Sequence, residues 1–221
     1  NPPQRLPRRW IRKRHGGVRG VTDVVTTGEI VAWWPVPGAA SHKYTRGVVG
    51  IDAGSRQYPG AALLAIAGAL GAGPGMVRYL GSASRDLVVG RFPGVVLADG
   101  QVQAVVVGSG WGAPDDVAAR FQVALERRVP LVVDADALRQ LPADLPAETL
   151  LTPHAGELAR LLGVERGEIE ADPVAAAVLA AGRFKATVLL KGAVQPLVDK
   201  DKKESPFSKE KGEFLCLRDG L

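Results

Sequence analysis

Residues 150–163 read LLTPHAGELARLLG, in which a short apolar run passes through Thr-Pro-His into a segment with helical periodicity. Thr152 is a favourable N-cap residue, and Pro153 suits the first turn of a helix. The glycine that follows leaves the amides at the helix start open to an anion. His154 either meets a ligand there or, with Glu157 three residues later, belongs to a helix cap. The stretch predicts a strand-to-helix junction of an α/β protein.

The same order of apolar run and helical pattern repeats along the chain, which is typical of a mostly parallel sheet covered by helices. The predicted strands are Val48–Ala53, Met76–Leu80, Val95–Leu97, Gln103–Val107, Leu131–Asp134, Thr149–Leu151, Thr187–Leu190 and Pro196–Val198. The predicted helices are Gly60–Leu70, Ser82–Val89, Pro114–Arg127, Gly156–Leu162 and Pro173–Phe184. Ligands of such sheets bind beyond the carboxyl ends of the strands, so each strand-to-helix junction is a candidate site.

The bulk composition fits a single large α/β domain. The chain has 221 residues, of which 46% are hydrophobic, enough for a substantial core. It has no apolar run of about 18 residues, so a membrane partner is not expected. The single cysteine, Cys216, excludes an internal disulfide and fits a reducing compartment, which favours a cytoplasmic protein. Three histidines and one cysteine at unrelated spacings predict no structural metal site.

The net charge of +5 is concentrated at the two ends of the chain. Residues 1–20 contain seven Lys or Arg and no acid, and residues 200–211 contain five lysines. We therefore predict a basic N-terminal arm or linker at residues 1–29 and a lysine-rich tail of unrelated character at residues 200–221. Neither segment carries a nucleic-acid-binding motif, so a nucleic-acid partner is not expected.

Two glycine-rich junctions follow predicted strands. AGSRQYPGAALLA, at residues 53–65, starts a helix with small residues that either admit a flat ligand or allow close packing on the sheet. GSGWG, at residues 108–112, fits the dinucleotide pattern G-x-G-x-x-[GA] through Gly108, Gly110 and Ala113. With Asp134 as a ribose-binding acid further on, this pattern supports a rival interpretation as a Rossmann protein.

Charged residues follow two further strands. Asp134 and Asp136 straddle a strand end, where paired carboxylates either hold Mg²⁺ or cap the next turn. Lys191 directly follows the apolar run TVLL and precedes Gly192, a place that suits a phosphate group or a solvated lysine equally well.

Five segments, taken in order, resemble one family, the ADP-dependent or ATP-dependent (S)-NAD(P)H-hydrate dehydratases of the ribokinase-like superfamily. They are HKYTRGVVGIDAGSRQYPGAA (42–62), GSGWG (108–112), DADAL (134–138), LLTPHAGELARLLG (150–163) and TVLLKGA (187–193). The resemblance covers about residues 30–199 and implies a three-layer sandwich, a mostly parallel sheet with helices on both faces, incomplete at the C-terminus. It also implies ADP or ATP and Mg²⁺ as cofactors, a possible homo-oligomer, and a possible fused or separate NAD(P)H-hydrate epimerase domain.

The resemblance carries over to residues of this chain one at a time. It implies that Ala61, Gly110 and His154 meet the hydrated nicotinamide nucleotide. For the adenine nucleotide it implies one continuous segment, which is Lys191, Gly192, Ala193, Val194 and Gln195.

The sequence departs from the family pattern at two places. Ser109 stands where the family has the proline of G-P-G-x-G, and no G-[ST]-G-D segment follows Lys191. In the family that segment supplies the general base and the amides around the transferred phosphate. We therefore nominate no catalytic or metal-binding residue and expect little or no dehydratase activity from the chain as written. A ribokinase-like kinase of small alcohols and a non-catalytic nucleotide-binding remnant remain alternatives.

Overall fold

The computed structural model describes residues 23–24, 27–34, 36–112, 117–200 and 215–218. Most of the predicted basic arm, and residues 201–214 of the predicted tail, lie outside the described residues. So does the start of the predicted helix Pro114–Arg127, of which Val117–Glu126 is described as helical.

A nine-stranded sheet forms the centre of the fold. Its strands are β1 (Asp23–Val24), β2 (Val48–Asp52), β3 (Met76–Tyr79), β4 (Ala104–Val107), β5 (Leu131–Val133), β6 (Thr149–Leu151), β7 (Thr187–Leu189), β8 (Val194–Val198) and β9 (Leu215–Arg218). Their order across the sheet is β1-β9-β8-β7-β6-β5-β4-β2-β3. From β3 to β7 all neighbours pair in parallel, whereas β8 is antiparallel to both β7 and β9.

Seven α-helices accompany the sheet among the described residues. They are α1 (Thr27–Trp33), α2 (Pro59–Gly71), α3 (Arg85–Arg91), α4 (Val117–Glu126), α5 (Ala155–Leu162), α6 (Arg166–Ala171) and α7 (Pro173–Phe184). A 3-10 helix spans Ala135–Gln140. Within the described parts of the chain, no helix is long and apolar enough to cross a membrane.

The core is divided by the sheet into two clusters, because successive strand side chains point to opposite faces. One cluster joins strand residues such as Val107 and Val133 to Phe121 of α4 and Leu158 of α5. The other joins Ile51, Val77 and Tyr79 of the strands to Ile66 of α2 and Val88 of α3. Helices therefore cover both faces of a mostly parallel sheet, which confirms the predicted α/β sandwich.

Several predicted elements differ from the structure. Val95–Leu97 is not a strand, because only Val96 forms a bridge, to Arg78. The helix after β6 begins at Ala155, and its N-cap is His154 rather than Thr152. Helices α1 and α6 and the 3-10 helix were not predicted, since each is only six or seven residues long and too short for a clear periodicity.

Candidate functional site

The five predicted junctions lie along one edge of the sheet. Strands β2, β4, β5, β6 and β7 are consecutive neighbours and run parallel, so their carboxyl ends meet at the same side. Each of these strands is followed by one of the polar or glycine-rich segments discussed above.

Ala61 and Gly110, both predicted to meet the dinucleotide, are packed against each other. Gly110 has φ +68°, and a Cβ placed on it would come closer to the Ala61 Cβ than the 3.0 Å seen in real contacts. The adjoining turn is fixed by the Gly54 amide, which donates to the Ser109 carbonyl at 2.7 Å. The small residues therefore allow the start of α2 to lie directly on the glycine turn.

Tyr58 is a neighbour of this turn that the sequence alone did not single out. Its backbone and Cβ lie beside Gly110, and its ring lies 3.5 Å from the position of a Cβ on Gly112. The residue is 48% exposed although its side chain is aromatic. The run of small residues at Gly60–Ala62 marked the helix start as a candidate site, whereas a single tyrosine before a proline gives no comparable signal.

His154 forms a capping box at the start of α5. Its Nδ1 accepts hydrogen bonds from the amides of Gly156 at 3.0 Å and Glu157 at 3.3 Å. In return, Glu157 Oε2 accepts from the His154 amide at 2.8 Å. These amides are consequently occupied by the imidazole, which corrects the expectation that they lie open to an anion. The His154 side chain is 53% exposed, and its second ring nitrogen, Nε2, lies 3.4 Å from Glu157 Oε1.

Asp134 connects the ends of four neighbouring strands. Its Oδ1 accepts from Lys191 Nζ at 2.5 Å and from Thr152 Oγ1 at 3.0 Å, and its Oδ2 accepts from Ser109 Oγ at 2.9 Å. Burial raises the pKa of this carboxyl, but the Lys191 ammonium and the two hydroxyl groups outweigh burial and hold its pKa below the ordinary value. Asp134 is therefore an ionised, fully engaged acceptor at the centre of the edge.

Lys191 and His154 are brought together by the backbone. The Lys191 amide donates to the Pro153 carbonyl at 2.8 Å, and Lys191 forms a bridge with His154. Beyond it, Gly192 and Ala193 are exposed. Val194 then begins β8, and Gln195, half-buried, lies within that strand. The predicted nucleotide segment thus forms a continuous rim next to His154.

Two carboxylates at this edge, those of Asp134 and Asp136, are candidates for binding the Mg²⁺ that the resemblance implies. No group of three or more His, Cys, Asp or Glu side chains could hold a metal within the described ranges. Asp136, the second carboxylate, accepts from the Gly112 amide at 2.8 Å and lies 3.6 Å from Arg139. Mg²⁺ needs only one or two protein carboxylates when phosphates and water complete its shell. Because Asp134 already accepts from three side chains, Asp136 is the carboxylate at this edge that fits a metal arriving with a nucleotide.

Trp111, the bulky residue within the glycine turn, anchors that turn in the core. Its buried ring packs into the core, its Nε1 donates to the Asp52 carbonyl at 2.9 Å and to Asp52 Oδ1 at 3.1 Å, and Arg120 lies 4.3 Å above the ring. Arg120 also forms an ion pair with Asp52. The Rossmann interpretation is disfavoured, because its ribose-binding acid, Asp134, already accepts from three side chains and the turn is anchored in the core.

The comparisons with known proteins agree with this geometry. The family model described as NAD(P)H-hydrate dehydratase matches residues 49–213. The bifunctional NAD(P)H-hydrate repair enzyme Nnr of Mycobacterium tuberculosis is 46% identical over 192 residues, covering 80% of this chain and 40% of the relative. The ADP-dependent (S)-NAD(P)H-hydrate dehydratase of Xanthomonas campestris is 34% identical, covering 72% of this chain and 63% of that one.

Solved structures give the same result. The ADP/ATP-dependent NAD(P)H-hydrate dehydratase of Bacillus subtilis, co-crystallised with ATP and Mg²⁺, has a TM-score of 0.76 and 27% identity, covering 89% of this chain and 72% of that chain. A ribokinase-like superfamily protein of Enterococcus faecalis has a TM-score of 0.77 at 17% identity, a likeness of fold alone. The ribokinase-like fold predicted above is confirmed. With a family model matching most of its length and relatives of this similarity, the chain belongs to the NAD(P)H-hydrate dehydratase family.

Proposed function

We propose that this chain serves the ADP-dependent or ATP-dependent dehydration of (S)-NAD(P)H-hydrate to NAD(P)H, a nucleotide-repair reaction of the lyase class. The chain spans 40% of the length of the Mycobacterium tuberculosis relative, so the activity of that whole protein is a proposal for this chain. One observation carries the proposal. Asp134 joins the glycine turn of the dinucleotide side to the lysine of the nucleotide side through Ser109 and Lys191.

The reaction implied by the family is kinase-like. ADP or ATP transfers a phosphoryl group to the hydroxyl on the hydrated nicotinamide ring, and loss of that phosphate together with a ring proton restores the double bond. Such a step needs a cation near the moving phosphoryl group and close packing that excludes water. Lys191 offers the cation, and the Ala61–Gly110 contact leaves a smooth backbone surface for the flat ring.

The substrate side is assigned to Ala61, Gly110 and His154, and the adenine-nucleotide side to Lys191–Gln195. His154 fits because its half-exposed ring is held beside Lys191, with Nδ1 in the helix cap and Nε2 3.4 Å from Glu157 Oε1. Mg²⁺, when bound with the nucleotide, would offset phosphate charge, and Asp136 is the carboxylate that could share it, because Asp134 is engaged by Lys191.

Further assignments follow the named relatives. The Mycobacterium tuberculosis relative is a bifunctional repair enzyme, so we infer that an epimerase activity works together with this domain, in the same polypeptide or another. We propose the cytoplasm as its compartment, in keeping with the single cysteine. A homo-oligomer remains the possibility that the resemblance implies.

Two alternatives within the same fold differ in substrate or in activity. A ribokinase-like kinase would phosphorylate a small alcohol at the position we give to the nicotinamide ring. A nucleotide-binding remnant would keep both half-sites but turn over neither substrate.

The test is ligand protection combined with product analysis. Ligands that bind the folded state raise the apparent stability, so ADP, ATP and hydrated NADPH should each raise the melting temperature, and each more in the presence of the other class. Intact NADP⁺ serves as the control for a Rossmann site. Protection by NADP⁺ but not by adenine nucleotide, or formation of a phosphorylated small alcohol, would contradict the proposal.

A further inference from the structure

A cavity of about 420 Å³ lies beside α4, above strands β2 and β3, and shares no lining residue with either half-site of the proposed reaction. Helices α2 and α3 pack on the opposite face of these two strands, through Ile66 and Val88. On the α4 side the strands are bordered by α4 itself and by residues 97–99, with the cavity between them. Its volume is in the range of pockets that hold small organic molecules, roughly 300–1,000 Å³.

The floor of the cavity is apolar. Leu80, directly after β3, and Val105 of β4 line it, and α4 adds Val123 and Ala124. Leu80 lies over Gly50, since a Cβ on that glycine would come 2.8 Å from Leu80 Cδ1. Val123 is 55% exposed although its side chain is apolar. The floor therefore offers apolar surface to the body of a ligand.

Three arginines line the cavity around this floor. Arg120 pairs with Asp52, the last residue of β2, and Arg85 follows the end of β3 at the start of α3. Because β2 and β3 are parallel neighbours, these two arginines lie at the same end of the cavity. Arg127, roughly 10 Å further along α4, pairs with Asp99 at the other end.

The charges at the end formed by Arg85 and Arg120 are unbalanced. Guanidinium groups are always protonated, so these residues contribute two positive charges against the one carboxylate of Asp52. Arg85 donates to the Leu97 carbonyl, and within the described parts of the chain it forms no ion pair. A planar guanidinium binds a carboxylate or a phosphate through two parallel hydrogen bonds. This end of the cavity therefore suits an anion.

Arg120 connects the cavity to the glycine turn. Its guanidinium lies 4.3 Å from the centre of the Trp111 ring, and Trp111 Nε1 donates to Asp52, the partner of Arg120. Trp111 directly follows Gly110. An anion bound by Arg120 would change the electrostatic surroundings of the Trp111 ring, so the fluorescence of this residue is a local reporter of binding.

We propose that the cavity binds a small organic anion, with its carboxylate or phosphate group held by Arg85 and Arg120 and its apolar body on Leu80 and Val105. Asp52 holds Arg120 in place, and Arg85 supplies the charge that the anion balances. The proposal goes beyond the proposed function and does not depend on it, because the cavity contains none of the residues assigned to the nucleotide or the dinucleotide.

The test is a fluorescence titration of the full chain in which Trp10, Trp33 and Trp34 are replaced by phenylalanine, so that Trp111 is the remaining tryptophan. The probes are cyclohexanecarboxylate and cyclohexyl phosphate, which do not absorb the exciting light, and cyclohexanol is the neutral control. At least one anion should change the Trp111 emission, and cyclohexanol should bind about tenfold more weakly or worse. The anion that binds more tightly distinguishes a carboxylate ligand from a phosphate ligand.

Arg85→Met should weaken binding of the anion about tenfold or more, as expected for loss of a hydrogen bond to a charged group. Arg91→Met, at the other end of α3 and outside the cavity lining, is the matched control and should leave the affinity within about twofold. The proposal is overturned if Trp111 responds to neither anion, if cyclohexanol binds as tightly as they do, or if Arg85→Met and the parent have equal affinity. Binding that ADP displaces in the parent and in Arg85→Met alike would also overturn it, because the anion would then occupy the nucleotide edge.

Discussion

Replacing Gly110 by alanine should destabilise the protein strongly, because two separate costs coincide at this position. The residue has φ +68°, in the left-handed region that L residues adopt at a cost of about 1–2 kcal/mol. The added methyl group would also overlap Ala61 Cβ, and overpacking of this kind costs roughly 1–3 kcal/mol. The free energy of unfolding should therefore fall by about 2–5 kcal/mol.

Two control variants separate these costs. Gly112 also has a positive φ, +84°, but the nearest atom to its added Cβ would be 3.5 Å away, an ordinary contact. Gly112→Ala should thus cost only the backbone term of about 1–2 kcal/mol. Adding Ala61→Gly to Gly110→Ala removes the opposing methyl group, so the double variant should be more stable than Gly110→Ala alone, although glycine in a helix costs roughly 0.5–1 kcal/mol.

The measurement is urea-induced unfolding of five proteins, which are the parent, Gly110→Ala, Gly112→Ala, Ala61→Gly and the double variant, read as free energies at equal m-values. The two sites should show a coupling free energy of about 1–3 kcal/mol, typical of residues in contact. Calorimetry with hydrated NADPH on the same variants reports the function, and affinity should fall for Gly110→Ala and recover in the double variant. Equal destabilisation by Gly110→Ala and Gly112→Ala, with no relief by Ala61→Gly, would refute the close packing of α2 on the glycine turn.

Three further predictions concern the same edge. His154→Ala should lose the capping bonds, and with them about 0.5–2 kcal/mol of stability, and it should bind hydrated NADPH more weakly. His154→Asn, which keeps a good N-cap residue, should retain the stability and still bind hydrated NADPH weakly. If calorimetry gives His154→Asn and the parent the same affinity, His154 has a capping role only. The pKa of Asp134 is lowered in the folded state, so its contribution to stability is present above the ordinary aspartate value of about 4 and is lost as pH falls through the lowered pKa. Urea titrations at several pH values should therefore show parent and Asp134→Asn converging at low pH, and a constant gap would contradict the ion pair. In a coupled assay that follows recovery of NADH absorbance from hydrated NADH, the 221-residue chain should turn over at least about 100-fold more slowly than a relative with an intact G-[ST]-G-D, since a general base contributes roughly 10²–10⁴-fold. Turnover within about tenfold of that relative would mean that another residue supplies the base.

The sequence alone was sufficient to place the parallel strands β2 to β7, but it did not predict β1 or β9. Buried parallel strands are short apolar runs between turn residues, and this pattern located Thr149–Leu151 to the residue and β2, β3, β4 and β5 to within one residue at each end. The order of strands along the edge was not predicted, because no local pattern determines which strands pair. The strand predicted at Val95–Leu97 failed because an apolar run alone does not determine whether a neighbouring strand is in reach.

The cap at the start of α5 shows what local rules leave undetermined. Thr152, Pro153 and the helix that follows suggested a threonine cap, because threonine is a common N-cap and histidine is not. In the structure Thr152 Oγ1 donates to Asp134 instead, and His154 takes over the cap. The competing partner comes from another strand 18 residues earlier, and its position depends on the sheet, so no window around residue 152 contains the answer.

Lys191 is a second case in which the position in the chain and the position of the charged group in space differ. A lysine after a strand has about 6 Å of side chain, long enough to leave its own junction, and the carboxylate that attracts it decides where the charge ends. Asp134 lies two strands away and is itself held by Ser109, the residue that departs from the family pattern. A sequence in which proline replaces Ser109 would lose one of the three donors to Asp134 and keep the other two. The Lys191–Asp134 pair should then persist, while its link to the glycine turn is lost. Ser109→Pro should therefore leave the affinity for ADP alone unchanged and weaken only the mutual enhancement of ADP and hydrated NADPH binding, both measured by calorimetry.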